Sequence, residues 1–396
     1  MAQARKRRIA IVTGSRAEYG LLSSLMKRLV SSADLELQVV VTGMHLSETY
    51  GMTVHQIEAD GYEIAARVPM LETGDDGLAM ARSVSRGVLG CAEAFEKLRP
   101  DLVVVLGDRF EILAAAQAAM LMKIPIAHIH GGEITEGAID ESIRHAITKM
   151  AHLHFVSAEE HFNRVVQMGE QPAHVFNFGA PGLDAISELK VMTRDEIEKS
   201  LGVKLTQHAA LVTFHPETLS DTPIDRQMDE VFAALEKFPD LQLLFTKPNA
   251  DSGGIAIAAR IDKFVEKSSG DTSKRAAFTS LGQSRYLNLL REVSVVIGNS
   301  SSGLIEAPAL QKPTVNIGDR QKGRLSGETV FDCQTERGAI EKSIRAALSD
   351  STKSKTAKAK SPYGLPGASE KIAMVLATVR LEDLRRKPFH DLESQK

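Results

Sequence analysis

Hydrophobic positions along the chain alternate between two periodicities. Short, mostly apolar runs at 9–12, 37–41, 102–106, 124–130 and 153–156 predict strands buried on both faces. Between them apolar residues recur three and four positions apart, as at 21, 22, 25, 26 and 29. That spacing predicts helices over 21–29, 54–59, 79–98, 112–122 and 139–151. Arg99-Pro100 stops the third of these, because a residue before proline is pushed out of the helical region. The second half repeats the plan, with strands expected at 209–214, 241–245, 293–297 and 313–317 and helices around 225–238, 253–268 and 284–292. Strands alternating with helices predict an α/β fold whose parallel sheet is covered on both sides, formed twice.

The junction is expected near 180–190, after Phe178-Gly179-Ala180-Pro181-Gly182. This gives domains at 1–184 and 185–367 and a C-terminal segment at 368–396. Residues 351–367, rich in Lys, Ser, Pro and Gly, read as a loop with four solvated lysines, and 368–386 as a last helix. No short-period repeat is present.

Composition narrows the class. The 396 residues allow two or three domains of about 150 residues each. With 43% apolar and 25% charged residues, disorder is excluded as the main state. The net charge of −3, from 48 basic and 51 acidic residues, provides no field for nucleic acid or an anionic membrane, so neither is expected as a partner. Cys91 and Cys333 are the only cysteines, cannot build a disulfide framework and have no CxxC partner, which points to a reducing compartment. The basic start, Arg5 to Arg8, is followed by too short an apolar run for a signal peptide, and nothing approaches the ~20 apolar residues of a membrane span. A cytoplasmic location is expected.

In open α/β sheets, ligands sit beyond the carboxyl ends of the strands, so the residues after each run carry the candidate chemistry. Thr13-Gly14-Ser15-Arg16 leads from strand to helix. A helix N-terminus offers free N–H groups to an anion, and Arg16 adds a cation suited to phosphate. The spacing of Gly14 and Gly20 does not fit the dinucleotide GxGxxG. Asp108, in Gly107-Asp108-Arg109, either exchanges a proton with a ligand or caps the helix beginning near 110. The densest group is His128, His130, Gly131-Gly132 and Glu133, followed by Asp140, Glu141, Arg144 and His145. Strand alternation puts His128 and His130 on one face, and Asp140/Arg144 and Glu141/His145 form two pairs one helical turn apart. An ordinary ion-pair helix is one reading. Zinc held by the histidines and carboxylates is weaker, since Arg144 would repel the ion.

In the second half, His215, Asn249 and Arg320 each follow a strand. Gly298-Asn299-Ser300-Ser301-Ser302-Gly303 runs into a helix carrying Glu306, so hydroxyls and N–H groups converge as a phosphate cradle, with Glu306 placed for a ribose diol. Pro308 should kink or shorten that helix. Carboxylates and histidines on one domain and a phosphate cradle on the other suit a nucleotide-linked substrate in an interdomain cleft, with a diphosphate as leaving group. Walker A, DFG and GxSxG motifs are absent, which removes the P-loop, kinase and α/β-hydrolase readings.

At these residues the chain resembles the UDP-N-acetylglucosamine 2-epimerase family, and more closely its hydrolysing branch. The matching stretches are TGSRAEYGLL (13–22), LGDRFE (106–111), HIHGGE (128–133), IDESIRHAITKMAHLH (139–154), FHPET (214–218), IGNSSSGLIE (297–306) and VNIGDRQKGRLSGE (315–328). The resemblance implies a GT-B-like fold of two Rossmann-like domains, a C-terminal helix packing back on the first domain, and a homodimer. It also implies a reaction without metal or other cofactor. A base takes the C2 proton while UDP leaves C1, giving 2-acetamidoglucal. Water then adds with inverted C2 stereochemistry to release N-acetylmannosamine.

Carried over by position, Asp108 and Asp140 match acid/base residues. Arg16, Arg109, His215, Asn249, Ser300, Ser301, Glu306 and Arg320 match nucleotide or diphosphate positions, and Arg144 and His145 a segment lining the sugar. Ser302 belongs to the same serine cradle, and His215 shares that edge closely enough to stand with the catalytic candidates. One departure matters: where family members carry Glu in H-x-E-x-G, this chain has His130, with Glu133 three residues on, and either can be the second acid/base. A hydrolysing 2-epimerase of UDP- or GDP-linked 2,4-diacetamido-2,4,6-trideoxyglucose shares every motif. A GT-B glycosyltransferase, needing an acceptor groove, and a silent sugar-nucleotide sensor, expected to lose its carboxylates, are the more distant alternatives.

Overall fold

The computed structural model describes residues 5–74, 76–268, 271, 273–384 and 386–392. The chain divides into two compact units. The first comprises Met1–Glu133, Asp140–Ala185 and Tyr363–Lys396, and the second Ile134–Ile139 and Ile186–Pro362.

The first unit is built on seven parallel strands: β1 (Arg7–Thr13), β2 (Leu35–Thr42), β3 (Ile64–Val68), β4 (Leu102–Leu106), β5 (Ile126–Ile129), β6 (Leu153–Val156) and β7 (Val175–Asn177). Their order is β3-β2-β1-β4-β5-β6-β7, so the winding reverses between β1 and β4, where such sheets open a crevice for ligands. The apolar strands make both faces core. On β1, Ile9 and Ile11 pack with Leu22, Leu25 and Met26 of helix Arg16–Ser31, while Ala10 and Val12 pack with Phe95 and the alanines of helix Phe110–Leu121. Each such aliphatic side chain contributes about 1.5–3 kcal/mol on burial.

The last helix, Ala368–Thr378, adds Ile372 and Leu376 to the first of these cores. The Asp184 carboxylate accepts from the N–H groups of Ala368 at 3.2 Å and Ser369 at 2.6 Å, satisfying the helix start. This helix is shorter than the expected 368–386. Val379 turns extended, and a 3-10 turn at Leu381–Leu384 returns Leu384 to the core. Residue 385, inside the expected helix, and 393–396 lie outside the described residues.

The second unit has six parallel strands: β8 (Ala209–Thr213), β9 (Gln242–Thr246), β10 (Arg275–Phe278), β11 (Val295–Gly298), β12 (Thr314–Ile317) and β13 (Val330–Cys333). Their order, β10-β9-β8-β11-β12-β13, repeats the first six positions of the other sheet, with its reversal between β8 and β11. Its core includes Val212, Ile297 and Ile344, with Phe232 and Phe264 stacked at 4.1 Å. The expected loop at 351–367 is corrected in its first part, where helix Asp350–Thr356 runs. Ser349 caps it, Thr352 and Thr356 face inward, and all four lysines stay exposed. Helix Ser302–Ala309 ends one residue after Pro308, as a proline inside a short helix requires. Two sheets of this order make the fold GT-B-like, with two Rossmann-like units.

Candidate active site

The first cluster gathers at the carboxyl ends of β1, β4 and β5. Helix Phe110–Leu121 begins with Arg109 at its cap position, and the Arg109 side chain makes no cap hydrogen bond. Asp108, one residue earlier, pairs with the guanidinium of Arg144 from helix Asp140–Met150. Arg144 is fully buried and also donates to the Glu133 carbonyl at 2.8 Å and to Glu141 Oε2 at 3.2 Å. Glu141 accepts from His145 at 2.9 Å, the i,i+4 pair expected from the sequence. Asp140 opens the same helix, half-buried.

The strand alternation that placed His128 and His130 on one face does not extend to His130. β5 ends at Ile129, and His130 has φ 65°, in the left-handed region. His128 is fully buried, with Nε2 at 2.7 Å from the Gly107 carbonyl and Nδ1 at 3.2 Å from the Thr148 hydroxyl. Burial lowers its pKa to about 3, so it is a neutral structural residue. His130 Nδ1 lies 2.5 Å from Glu133 Oε1, which also accepts from Ser157 at 3.0 Å.

Beside this cluster, Arg109 faces two buried carboxylates, Glu18 at 3.6 Å and Glu111 at 3.1 Å. Glu18 also accepts from the Gly14 N–H at 2.7 Å. A Cβ on Gly14 would sit 2.8 Å from Glu111 Cβ, so only glycine lets the turn lie this close. Burial and the Glu111 charge push Glu18 up to about 8, against the pull of Arg109. Arg16 starts the following helix, half-buried.

The second cluster lies at the ends of β8, β11 and β12. Asn299 and His215 bond reciprocally: the His215 N–H donates to Asn299 Oδ1 at 2.7 Å and Asn299 Nδ2 donates to the His215 carbonyl at 2.9 Å. The Asn299 carbonyl accepts from Arg320 at 3.1 Å and Gln321 at 2.8 Å. Asp251 Oδ2 lies 3.7 Å from His215 Nδ1. Gly298 has φ 132°, and a Cβ there would stand 1.9 Å from the Thr213 carbonyl, so the serine turn tolerates no other residue. Ser300, Ser301 and Ser302 are half-buried around the start of helix Ser302–Ala309, Tyr286 donates to Ser302 Oγ at 2.7 Å, and Glu306 is buried one turn on. Asn249 is half-buried after β9.

The structure thus brings together Asp108, His130, Glu133, Arg144 and His145 through shared partners in the first unit, and His215 and Arg320 through Asn299 in the second. Several contributors were not singled out as site residues. Ser157 and His161 follow β6 at an i,i+4 spacing, a strand-end signal that could have found them. Glu217, whose Oε1 accepts from the Asp319 N–H at 3.1 Å, sits within the FHPET stretch. Glu18 and Glu111 lie within the TGSRAEYGLL and LGDRFE stretches. Among the described residues, no group of three or more His, Cys, Asp and Glu side chains is arranged to hold a metal ion. No helix among them is long and apolar enough to cross a membrane.

Comparison with known proteins shows the family of the chain. The sequence profile described as UDP-N-acetylglucosamine 2-epimerase matches residues 27–377. A GDP/UDP-N,N'-diacetylbacillosamine 2-epimerase (hydrolyzing) from Campylobacter jejuni is 40% identical over 329 residues, 83% of this chain and 85% of that protein. A UDP-N,N'-diacetylbacillosamine 2-epimerase (hydrolyzing) from Legionella pneumophila is 38% identical over 95% of this chain and 97% of its own. The crystal structure of the Neisseria meningitidis UDP-GlcNAc 2-epimerase bound to UDP-GlcNAc superposes with a TM-score of 0.76 at 18% identity, covering 93% of this chain and 99% of that one. The chain belongs to the UDP-N-acetylglucosamine 2-epimerase family, in its hydrolysing branch.

Proposed function

We propose that this protein is a hydrolysing 2-epimerase that converts a nucleotide-linked 2-acetamido sugar and water into the free C2 epimer and the nucleoside diphosphate. The observation that carries the reading is the Asp108–Arg144–Glu133–His130 cluster at the β4 and β5 ends, which sets proton-transfer groups around one buried guanidinium. The C2 proton of the sugar is not acidic. Cleavage of C1–O therefore runs ahead and builds oxocarbenium character, and the departing diphosphate must be stabilised as its charge grows. Ser300, Ser301, Ser302, Arg16 and Arg320 are assigned to the diphosphate, Glu306 to the ribose, and His215 and Asn249 to the nucleotide. Arg109, facing Glu18 and Glu111, is assigned a supporting place.

Asp108, Asp140 and the His130–Glu133 pair exchange the protons of the two steps. The elimination needs a base for C2–H. The hydration needs an acid on the opposite face of C2 and a base for water, so the groups must differ in protonation state. Arg144 and His145 line the sugar. The free Cys91 and Cys333 thiols fit a cytoplasmic enzyme, and a homodimer is its expected assembly.

The sequence points first to UDP-N-acetylglucosamine as substrate. The Campylobacter and Legionella relatives favour the second reading, a UDP- or GDP-linked 2,4-diacetamido-2,4,6-trideoxyglucose. Incubation with UDP-N-acetylglucosamine and with each diacetamido sugar nucleotide, followed by NMR, separates them. Free N-acetylmannosamine and UDP support the first. Turnover of only a diacetamido sugar supports the second, and no free epimer from any of the three overturns the reaction.

A further inference from the structure

The loop after β5 holds two groups able to move a proton, His130 and Glu133, and their surroundings differ. The Glu133 side chain is buried and committed to its neighbours. One oxygen accepts from His130 Nδ1 at 2.5 Å and from Ser157 at 3.0 Å, and Ser157 Oγ lies 3.0 Å from Nδ1 of His161. Because a carboxylate accepts, the hydrogen of a neutral His130 ring sits on Nδ1 and the lone pair on Nε2. That Nε2 is buried and, among the described residues, has no hydrogen-bond partner. A buried imidazole nitrogen without a partner has lost its hydration for nothing within the protein. His128, two residues upstream, shows the satisfied alternative, with both nitrogens engaged. The His130 backbone is also held in the left-handed region at φ 65°, a strain that residues with a β-carbon carry where the surroundings impose it.

We propose that His130, through Nε2, is the proton-transfer group of this loop, and that Glu133 is a positioning residue that fixes its tautomer. The assignment rests on the epimerase reading above. Nε2 takes the C2 proton of the sugar. The C2–H electron pair becomes the C1=C2 bond, the C1–O bond breaks, and its pair leaves on the nucleoside diphosphate. The imidazolium so formed faces the Glu133 carboxylate, as the histidine of a Ser-His-Asp triad faces its aspartate. Ser157 keeps Glu133 oriented toward the ring. Asp108 and Asp140 remain for the hydration step.

The test uses His130→Asn, His130→Gly and Glu133→Gln in the full-length enzyme, with the nucleotide sugar that the wild type turns over. Asn and Gly both accept the left-handed backbone. His130→Asn is expected to lower kcat by ~100-fold or more while KM stays within a few-fold. Added imidazole is expected to raise the His130→Gly rate in proportion to its free-base form, a response that a purely structural histidine does not give. Glu133→Gln is expected to lower kcat by about 10-fold with KM within a few-fold, since the ring loses the carboxylate that fixes its tautomer. The assignment is overturned if His130→Asn turns over within threefold of wild type. It is equally overturned if the His130→Gly rate does not respond to imidazole, or if Glu133→Gln turns over within threefold of wild type. A wild type inactive on every nucleotide sugar overturns the epimerase reading itself, and the assignment with it.

Discussion

Asp108 and Arg144 form an ion pair in which the guanidinium is fully buried and the carboxylate retains 17% exposure. One member is thus fixed by the core while the other stays open at the end of β4. Arg144 holds three groups at once: the Asp108 carboxylate, the Glu133 carbonyl and the Glu141 carboxylate. A lysine ammonium cannot reproduce that planar fork. Arg144→Lys is expected to lower kcat/KM by about 100-fold and to destabilise the first unit by about 3 kcal/mol. Steady-state kinetics and thermal unfolding check both, and a lysine variant equal to wild type in both would show that the fork does not organise the site.

Asp108→Asn and Asp140→Asn are each expected to cut turnover by ~100-fold or more, the scale of lost acid/base catalysis. Calorimetric titration with the nucleoside diphosphate should show binding retained, because its proposed contacts lie elsewhere. Near-normal turnover in either variant would remove that residue from the proton-transfer set. Cys91→Ala is expected to keep wild-type rates, since this thiol is buried and burial pushes it up to about 12.

Glu18 gives the fold a pH signature. Its pKa is raised from 4.5 to about 8, so the folded state binds more protons than the unfolded state between those values. The stability it contributes is full below pH 4.5 and is lost as pH rises through about 8. Glu18→Gln should flatten the fall of Tm across that window. A variant whose Tm–pH curve parallels the wild type would place the effect elsewhere.

Glu170 has the opposite sign. It is buried and accepts from Lys149 at 2.5 Å, Lys387 at 2.8 Å and His154 at 3.0 Å. Burial alone would raise it, but these donors hold it at about 2. Its contribution is therefore present above pH 4.5 and lost as pH falls toward 2. Lys387 belongs to the C-terminal tail, where the His390 N–H also donates to the Gly169 carbonyl at 2.9 Å, so Glu170 anchors the tail within the first unit. Glu170→Gln should cost about 3 kcal/mol at pH 7, measured by denaturant unfolding, with a smaller difference below pH 4.5. An equal difference at both pH values contradicts the charge argument.

The strands with unbroken apolar runs were legible because both of their faces are core, as Val103 and Val104 of β4 show. The four missed strands, β3, β7, β10 and β13, are the edges of the two sheets, where exposure mixes polar residues into the run, as in β3 with its alternating burial. The helix at Asp350–Thr356 escaped notice because its inward face is threonine, which carries no apolar period. Asp108, His130 and the serine turn at 300–302 were singled out because strand ends announce their position, and the structure places them at the ends of β4, β5 and β11. Ser157 and His161 carried the same strand-end signal after β6, whereas Glu18 bonds the Gly14 N–H from inside its helix, where nothing in the sequence marks a residue that holds its neighbour.

The central claim is elimination followed by hydration at C2, and the direct measurement is turnover in D2O with NMR observation of the released sugar. The account predicts one deuterium at C2 of the free epimer, with inverted configuration and one nucleoside diphosphate per sugar. A released sugar with its original hydrogen at C2, or with unchanged configuration, would contradict it.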